Sequence, residues 1–157
     1  MSGVAFKLAP VSIKERIEDA LFLWDHGRRE GAFLSALVAA AATSRQRFTA
    51  PSIGDREAFE RFLESTHSIR LAVEYRGDVH PIEHIFYKWF RCELVHEGAL
   101  PIDIEFMTDV DPYQLSVRAG GAPDFVLRIS PGWFHHLVDA VIKAPENGAL
   151  FTPESPT

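Results

Sequence analysis

Apolar positions recur at helical spacing through the first third of the chain. Ile13, Ile17, Ala20, Leu21 and Trp24 fall on one face at a period of 3.6 and predict an amphipathic helix over "SIKERIEDALFLWDHG". Ser12, with Glu15 three residues on, forms a capping box for its start, and Gly27 suits its end. A second helix is expected from about Arg29 to Phe48. Phe33, Leu34, Leu37, Val38 and Ala41 supply its apolar positions, and a cluster of small residues lets it approach a neighbour closely. Its last turn, "SRQRF", is basic, and Arg45 and Arg47 suit the negative end of the helix dipole. After the turn "TAPSIGD", "DREAFERFLESTH" predicts a short helix with Phe59, Phe62 and Leu63 inward.

The period then changes. Ile69, Leu71, Val73 and Tyr75 alternate with Arg70, Ala72, Glu74 and Arg76, the mark of a half-buried strand. Pro81 opens a further helix that runs to about Glu97 and is stopped by Gly98 and Pro101. Three more alternating segments follow, built on Ile102, Ile104 and Phe106, then Tyr113, Leu115 and Val117, then Phe125, Leu127 and Ile129. Turn-rich "TDVDP" and "AGGAPD" separate them, which predicts an antiparallel meander. "SPGWFHHLVDAVIKA" closes the domain as a helix, with Ser130 as cap, Pro131 at the first position and Trp133, Phe134, Leu137, Val138, Val141 and Ile142 buried. Residues 146–157 read as a loose tail.

The expected fold is therefore α+β: a helical part over 12–98, then a small antiparallel sheet with a C-terminal helix over 99–145. A chain of 157 residues is most simply one domain. Apolar residues make up 46% and charged residues 24%, an ordinary globular balance. One cysteine excludes an internal disulfide and a cysteine-rich zinc module, and no close carboxylate–histidine spacing completes another metal site, so no metal and no cofactor is expected. The net charge of −6 is uneven. Residues 1–100 carry 13 Lys/Arg against 14 Asp/Glu, and residues 101–157 carry 3 against 8. An overall acidic chain is a poor generic nucleic-acid binder, which leaves room for a local basic site in the first hundred residues. "MSGVAFKLAP" lacks an apolar stretch of signal-peptide length, and the run from Gly31 to Ala42 is too short to span a bilayer. The chain is expected in the cytoplasm, with no membrane partner.

The segment "YKWFRCELVHEG" carries more ionisable chemistry than a core helix needs. On a helical wheel at about 100° per residue, Ile82, Ile85, Phe86, Trp89, Phe90 and Leu94 form an apolar arc, while His84, Lys88, Arg91 and Cys92 share the opposite, cationic side. His96 falls at the boundary, near a helix C-terminus that favours its protonated form. Arg91 and His96 lie about 140° apart, so a shared substrate would have to cross the helix end. Glu93 falls among apolar positions and needs a partner, which His96 three residues on could supply.

An arginine and a histidine separated by four residues, on the last turns of a helix preceded by two long antiparallel helices, resemble the HEPN superfamily. "ALFLWDHGRREGAFLSALVAAAA" resembles its first two helices, and the likeness covers roughly residues 12 to 98. It implies a helical domain of a kind found in toxin, antiviral and RNA-processing systems, often a metal-independent endoribonuclease leaving 2′,3′-cyclic phosphate ends. By resemblance, Arg91 would bind the scissile phosphate and His96 would act as general acid or base; Glu93 and Cys92, from their place on the same helix turns, are the expected supporting residues. Lys88, His84, Arg45 and Arg47 would extend the contact to RNA. The family commonly sets two such motifs across a homodimer, where the arginine of one subunit works beside the histidine of the other. Cys92 departs from the pattern, since many active members have a polar residue, often Asn, after the arginine.

Other readings of the same residues stand beside this one. Arg91 could pair with a nearby carboxylate and His96 cap the helix end, in a non-catalytic module that oligomerises or binds a protein partner. Cys92 and His96, four residues apart, also permit a thiol nucleophile.

Overall fold

A computed structural model describes residues 10–49, 51–120 and 126–151. Helix α1 (Pro10–Asp25) packs along α2 (Arg29–Arg47), and the contact is close because Ala20, Ala32, Ala36, Ala39 and Ala40 are fully buried. The helix begins at Pro10, so Ser12 lies within its first turn and does not cap it. Its other end follows the sequence. The Arg28 N–H donates to the Leu23 carbonyl and the Gly27 N–H to that of Trp24, a Schellman motif that requires the positive φ of 74° at Gly27. Ile13, Ile17 and Ala20 face the core as expected, whereas Leu21 is 39% exposed.

Helix α3 (Asp55–Glu64) buries Phe59, Phe62 and Leu63. The strand expected from Ile69 is shorter: β1 covers Ala72–Tyr75, with Ile69 outside it and exposed. It pairs antiparallel with β2 (Asp78–Pro81), a strand the sequence pattern did not reveal. The two-residue turn has φ of 54° at Arg76 and 88° at Gly77, the geometry of a type I′ hairpin. Pro81 is tolerated in β2 as the terminal residue of an edge strand.

The Pro81 helix exists but is not uniform. It consists of α4 (Ile82–Ile85), a π-helical segment (Phe86–Cys92) and α5 (Glu93–Glu97), continuous in backbone conformation and ending at Gly98. Ile82, Ile85, Phe86, Trp89, Phe90 and Leu94 are buried, as the wheel requires.

The expected antiparallel meander is replaced by a mixed sheet. Strand β3 (Ile104–Phe106) runs parallel to β5 (Leu127–Ile129), and β4 (Val117–Ala119) lies antiparallel on the other side of β5. Ile102 is 97% exposed and Tyr113 72%, so the alternation of those segments overstates the strands. Phe125 lies outside the described residues. Helix α6 (Gly132–Lys143) starts after Pro131. Ser130 does not cap it: its hydroxyl donates to the Gln114 carbonyl and accepts from the Ser116 N–H. Gly132 passes so close to Gln114 that a Cβ would strike that carbonyl. Trp133, Phe134, Leu137, Val138 and Val141 are buried, and Ile142 is half-buried.

Residues 145–151 are not loose. A 3₁₀ turn (Pro145–Asn147) and α7 (Gly148–Phe151) lie against the helices, with Asn147 fully buried and Glu146 paired with Arg47. A buried cluster joins α1, α2, α3, the Pro81 helix, the mixed sheet and α6, and the fold is α+β. No helix among the described residues is long and apolar enough to cross a membrane.

Candidate functional site

The π-helical segment widens the helix at the residues singled out by sequence, a local geometry that recurs at functional sites. Arg91 projects from it into a groove of about 440 Å³ between α1 and α2. Ser12, Ile13 and Arg16 line one wall, and Val38, Ala39, Ala41, Ala42 and Arg45 line the other, with Asp55 at the start of α3. Alanines at 39, 41 and 42 leave the room that larger side chains would fill.

The three arginines of this groove differ in their partners. Arg16 bonds Asp19 at 2.8 Å. Arg45 donates to the Ile53 carbonyl at 2.6 Å and lies 3.3 Å from Asp55. Arg91 has no carboxylate partner among the described residues. Its Nε is buried without a hydrogen-bond acceptor, and its guanidinium lies 5.5 Å from the centre of the Tyr87 ring. An unneutralised guanidinium beside open space is the chemistry of an anion site.

His96 does not share that groove. It is exposed on the last turn of α5, and it is absent from the lining that Arg91 joins. Nor does Glu93 meet it: no ion pair or hydrogen bond joins them, and Glu93 is half-buried at the surface where the wheel placed it inward. The wheel assumed uniform α-helical turns, and the π segment breaks that assumption just before Glu93. Cys92 is half-buried.

The cationic side expected of this helix is divided. His84 pairs with Glu60 at 2.6 Å, and Lys88 lies over Trp89 at 4.7 Å; both surround that ring, outside the lining of the Arg91 groove. Arg47 is turned away by a two-point contact with Glu146, at 2.7 and 3.2 Å, and a third bond to Ser65. The hydrogen bond between Arg47 and Glu146 raises the Arg47 pKa and lowers that of Glu146. Of the residues expected to bind substrate, Arg45 alone reaches the Arg91 groove. Arg16, Asp55 and Tyr87 were missed by sequence. Tyr87, four residues before Arg91 on one helix, carried a usable signal.

Two further polar clusters lie elsewhere. His67 and Glu83, both nearly sealed from solvent, approach to 2.8 Å, while His67 Nδ1 donates to the Ile69 carbonyl at 2.6 Å. Since a carbonyl only accepts, Nδ1 carries a proton and Nε2 faces the carboxylate, in contact but not in the alignment of a hydrogen bond. Tyr75 and Arg76 converge on Asp103, at 2.6 Å from the phenol and 2.8 Å from the guanidinium. The Arg76 hydrogen bond lowers the Asp103 pKa, and burial followed by the Asp103 contact raises that of the Tyr75 phenol. His135 and His136 are both half-buried, and desolvation lowers the pKa of each. Among the described residues no group of histidine, cysteine and carboxylate side chains could hold a metal ion.

No curated protein and no solved structure matches the chain. A family model described as Rv1289 matches residues 12–154, a span that takes in the groove, the π-helical segment and the mixed sheet, and the chain belongs to the Rv1289 family.

Proposed function

We propose that this protein is a HEPN-like, RNA-directed domain in which Arg91 binds a backbone phosphate in the α1–α2 groove. The observation that carries the reading is the state of Arg91: half-buried, without a carboxylate partner among the described residues, and facing open space beside Arg45. RNA as the phosphate source comes from the HEPN resemblance. In a single chain His96, the acid or base that the resemblance assigns, is exposed away from the groove that Arg91 lines. Metal-independent cleavage then requires a homodimer, with His96 of the partner subunit brought beside Arg91.

The test is binding and cleavage of a short labelled oligouridylate in EDTA. Arg91→Ala is expected to weaken binding at least about tenfold, since a charged hydrogen bond contributes roughly 1.5–3 kcal/mol. It should also flatten the dependence of log Kd on log salt by about 0.7, one phosphate contact to a single strand. Mixing Arg91→Ala and His96→Ala proteins, each inactive alone, should restore cleavage through one intact composite site. Unchanged binding by Arg91→Ala would refute the phosphate reading. Binding without cleavage, in the wild type and in the mixture, would select the second reading, a non-catalytic module. The apolar groove wall, where Val38 remains 37% exposed, favours that reading as a surface for a protein partner.

A further inference from the structure

We infer that Tyr87 is the positioning residue of the Arg91 site, holding the guanidinium toward the groove without neutralising it. The inference rests on the phosphate reading and adds to it the device that keeps the charge available. The other groove arginines are held by carboxylates, Arg16 by Asp19 and Arg45 by Asp55, and much of their field is spent locally. Arg91 is held by a ring. Its guanidinium carbon lies 5.5 Å from the Tyr87 centroid, within the range at which the negative face of an aromatic ring attracts a cation. That attraction restrains the side chain yet leaves its net charge at +1, so an incoming anion meets the whole charge.

The surroundings fix the ring in turn. Tyr87 is half-buried and packs on fully buried Phe59 of α3, with ring centres 5.7 Å apart. Tyr87 and Arg91 are both in the π-helical segment, four residues apart, where side chains of successive turns are neighbours. Tyr87 does not line the groove, so it acts through Arg91 and not on the ligand. Its hydroxyl has no hydrogen-bond partner among the described residues, so the ring alone carries the role.

The decisive experiment replaces Tyr87 by phenylalanine and by phenylalanines fluorinated stepwise, which weakens the ring's negative face with little change of shape. Affinity is read with the same oligouridylate. Tyr87→Phe should bind as the wild type. Affinity should fall along the fluorination series by about two- to fivefold, the change that roughly 0.5–1 kcal/mol of lost cation–π attraction produces. The salt slope should stay constant throughout, because Arg91 keeps its charge. A flat series, with Arg91→Ala still weakening binding, overturns the positioning role alone. If Arg91→Ala also binds as the wild type, the phosphate reading fails and the positioning role with it.

Discussion

Asn147 provides the sharpest test of how the C-terminal segment is fastened. It is fully buried, and its Nδ2 donates to Thr43 Oγ1 and to the Val141 carbonyl, both at 2.9 Å. Thr43 in turn donates its hydroxyl proton to the Ala39 carbonyl at 2.8 Å, so its oxygen is free to accept. The Oδ1 atom is buried without a partner. Asn147→Ala removes both donated bonds but also that orphaned acceptor. The expected net loss is about 2 kcal/mol, near the middle of the cost of leaving a buried polar group unsatisfied. Asn147→Asp keeps the shape and turns the donor into an acceptor. It sets a carboxylate against two groups that cannot both donate, for about 4 kcal/mol if the charge stays. At roughly 2–4 °C per kcal/mol for a chain of this size, Tm should fall by about 4–8 °C and 8–16 °C. Urea unfolding at constant m is the assay. The excess cost of Asn147→Asp over Asn147→Ala should shrink as pH is lowered and the new carboxyl takes up a proton. If Asn147→Asp proves less costly than Asn147→Ala near neutral pH, the donor assignment is wrong.

Three further outcomes follow from the packing and the charges. Gly132→Ala drives a Cβ into the Gln114 carbonyl and should cost about 3 kcal/mol or more, visible as a lowered urea midpoint. His67→Ala takes away the imidazole that contacts the buried Glu83 carboxylate at 2.8 Å, an expected loss of about 1–3 kcal/mol, and the double variant His67→Ala/Glu83→Leu should recover part of it. Asp103 and Glu146 have lowered pKa values through their arginine hydrogen bonds. Depressed folded values make their contribution fully present above the ordinary carboxylate range and lost as pH falls through the folded values. Unfolding free energy should therefore decline below about pH 4.5. Asp103→Asn and Glu146→Gln should each flatten that decline in acid-dependent urea titrations.

Helical segments were the most legible part of the chain, because their apolar period is a local property. Phe59, Phe62 and Leu63 turn inward on α3, as does the arc from Ile82 to Leu94, although a π-helical stretch interrupts the latter. Strands were less legible. The alternation around Ile69 and Ile102 continues past the ends of β1 and β3, and nothing local announces that β3 pairs parallel with β5. The β2 partner was hidden because "DVHP" lacks the buried alternation of a core strand; it is a mostly exposed edge. Arg91 was found from its spacing to His96, but that pairing is not what the single chain builds.

By itself the sequence determined the α+β class, the inward faces of the main helices and the position of Arg91 near the end of one of them. These follow from periodicity and from stop signals such as Gly27 and Gly98, which act over a few residues. Tertiary structure decided which cations are available. Arg47 meets Glu146 across 99 positions, whereas Arg91 meets a ring four positions away and no acid among the described residues. The charge of an arginine is written in its residue type, but whether that charge is already neutralised depends on carboxylates that only folding brings within a few ångströms.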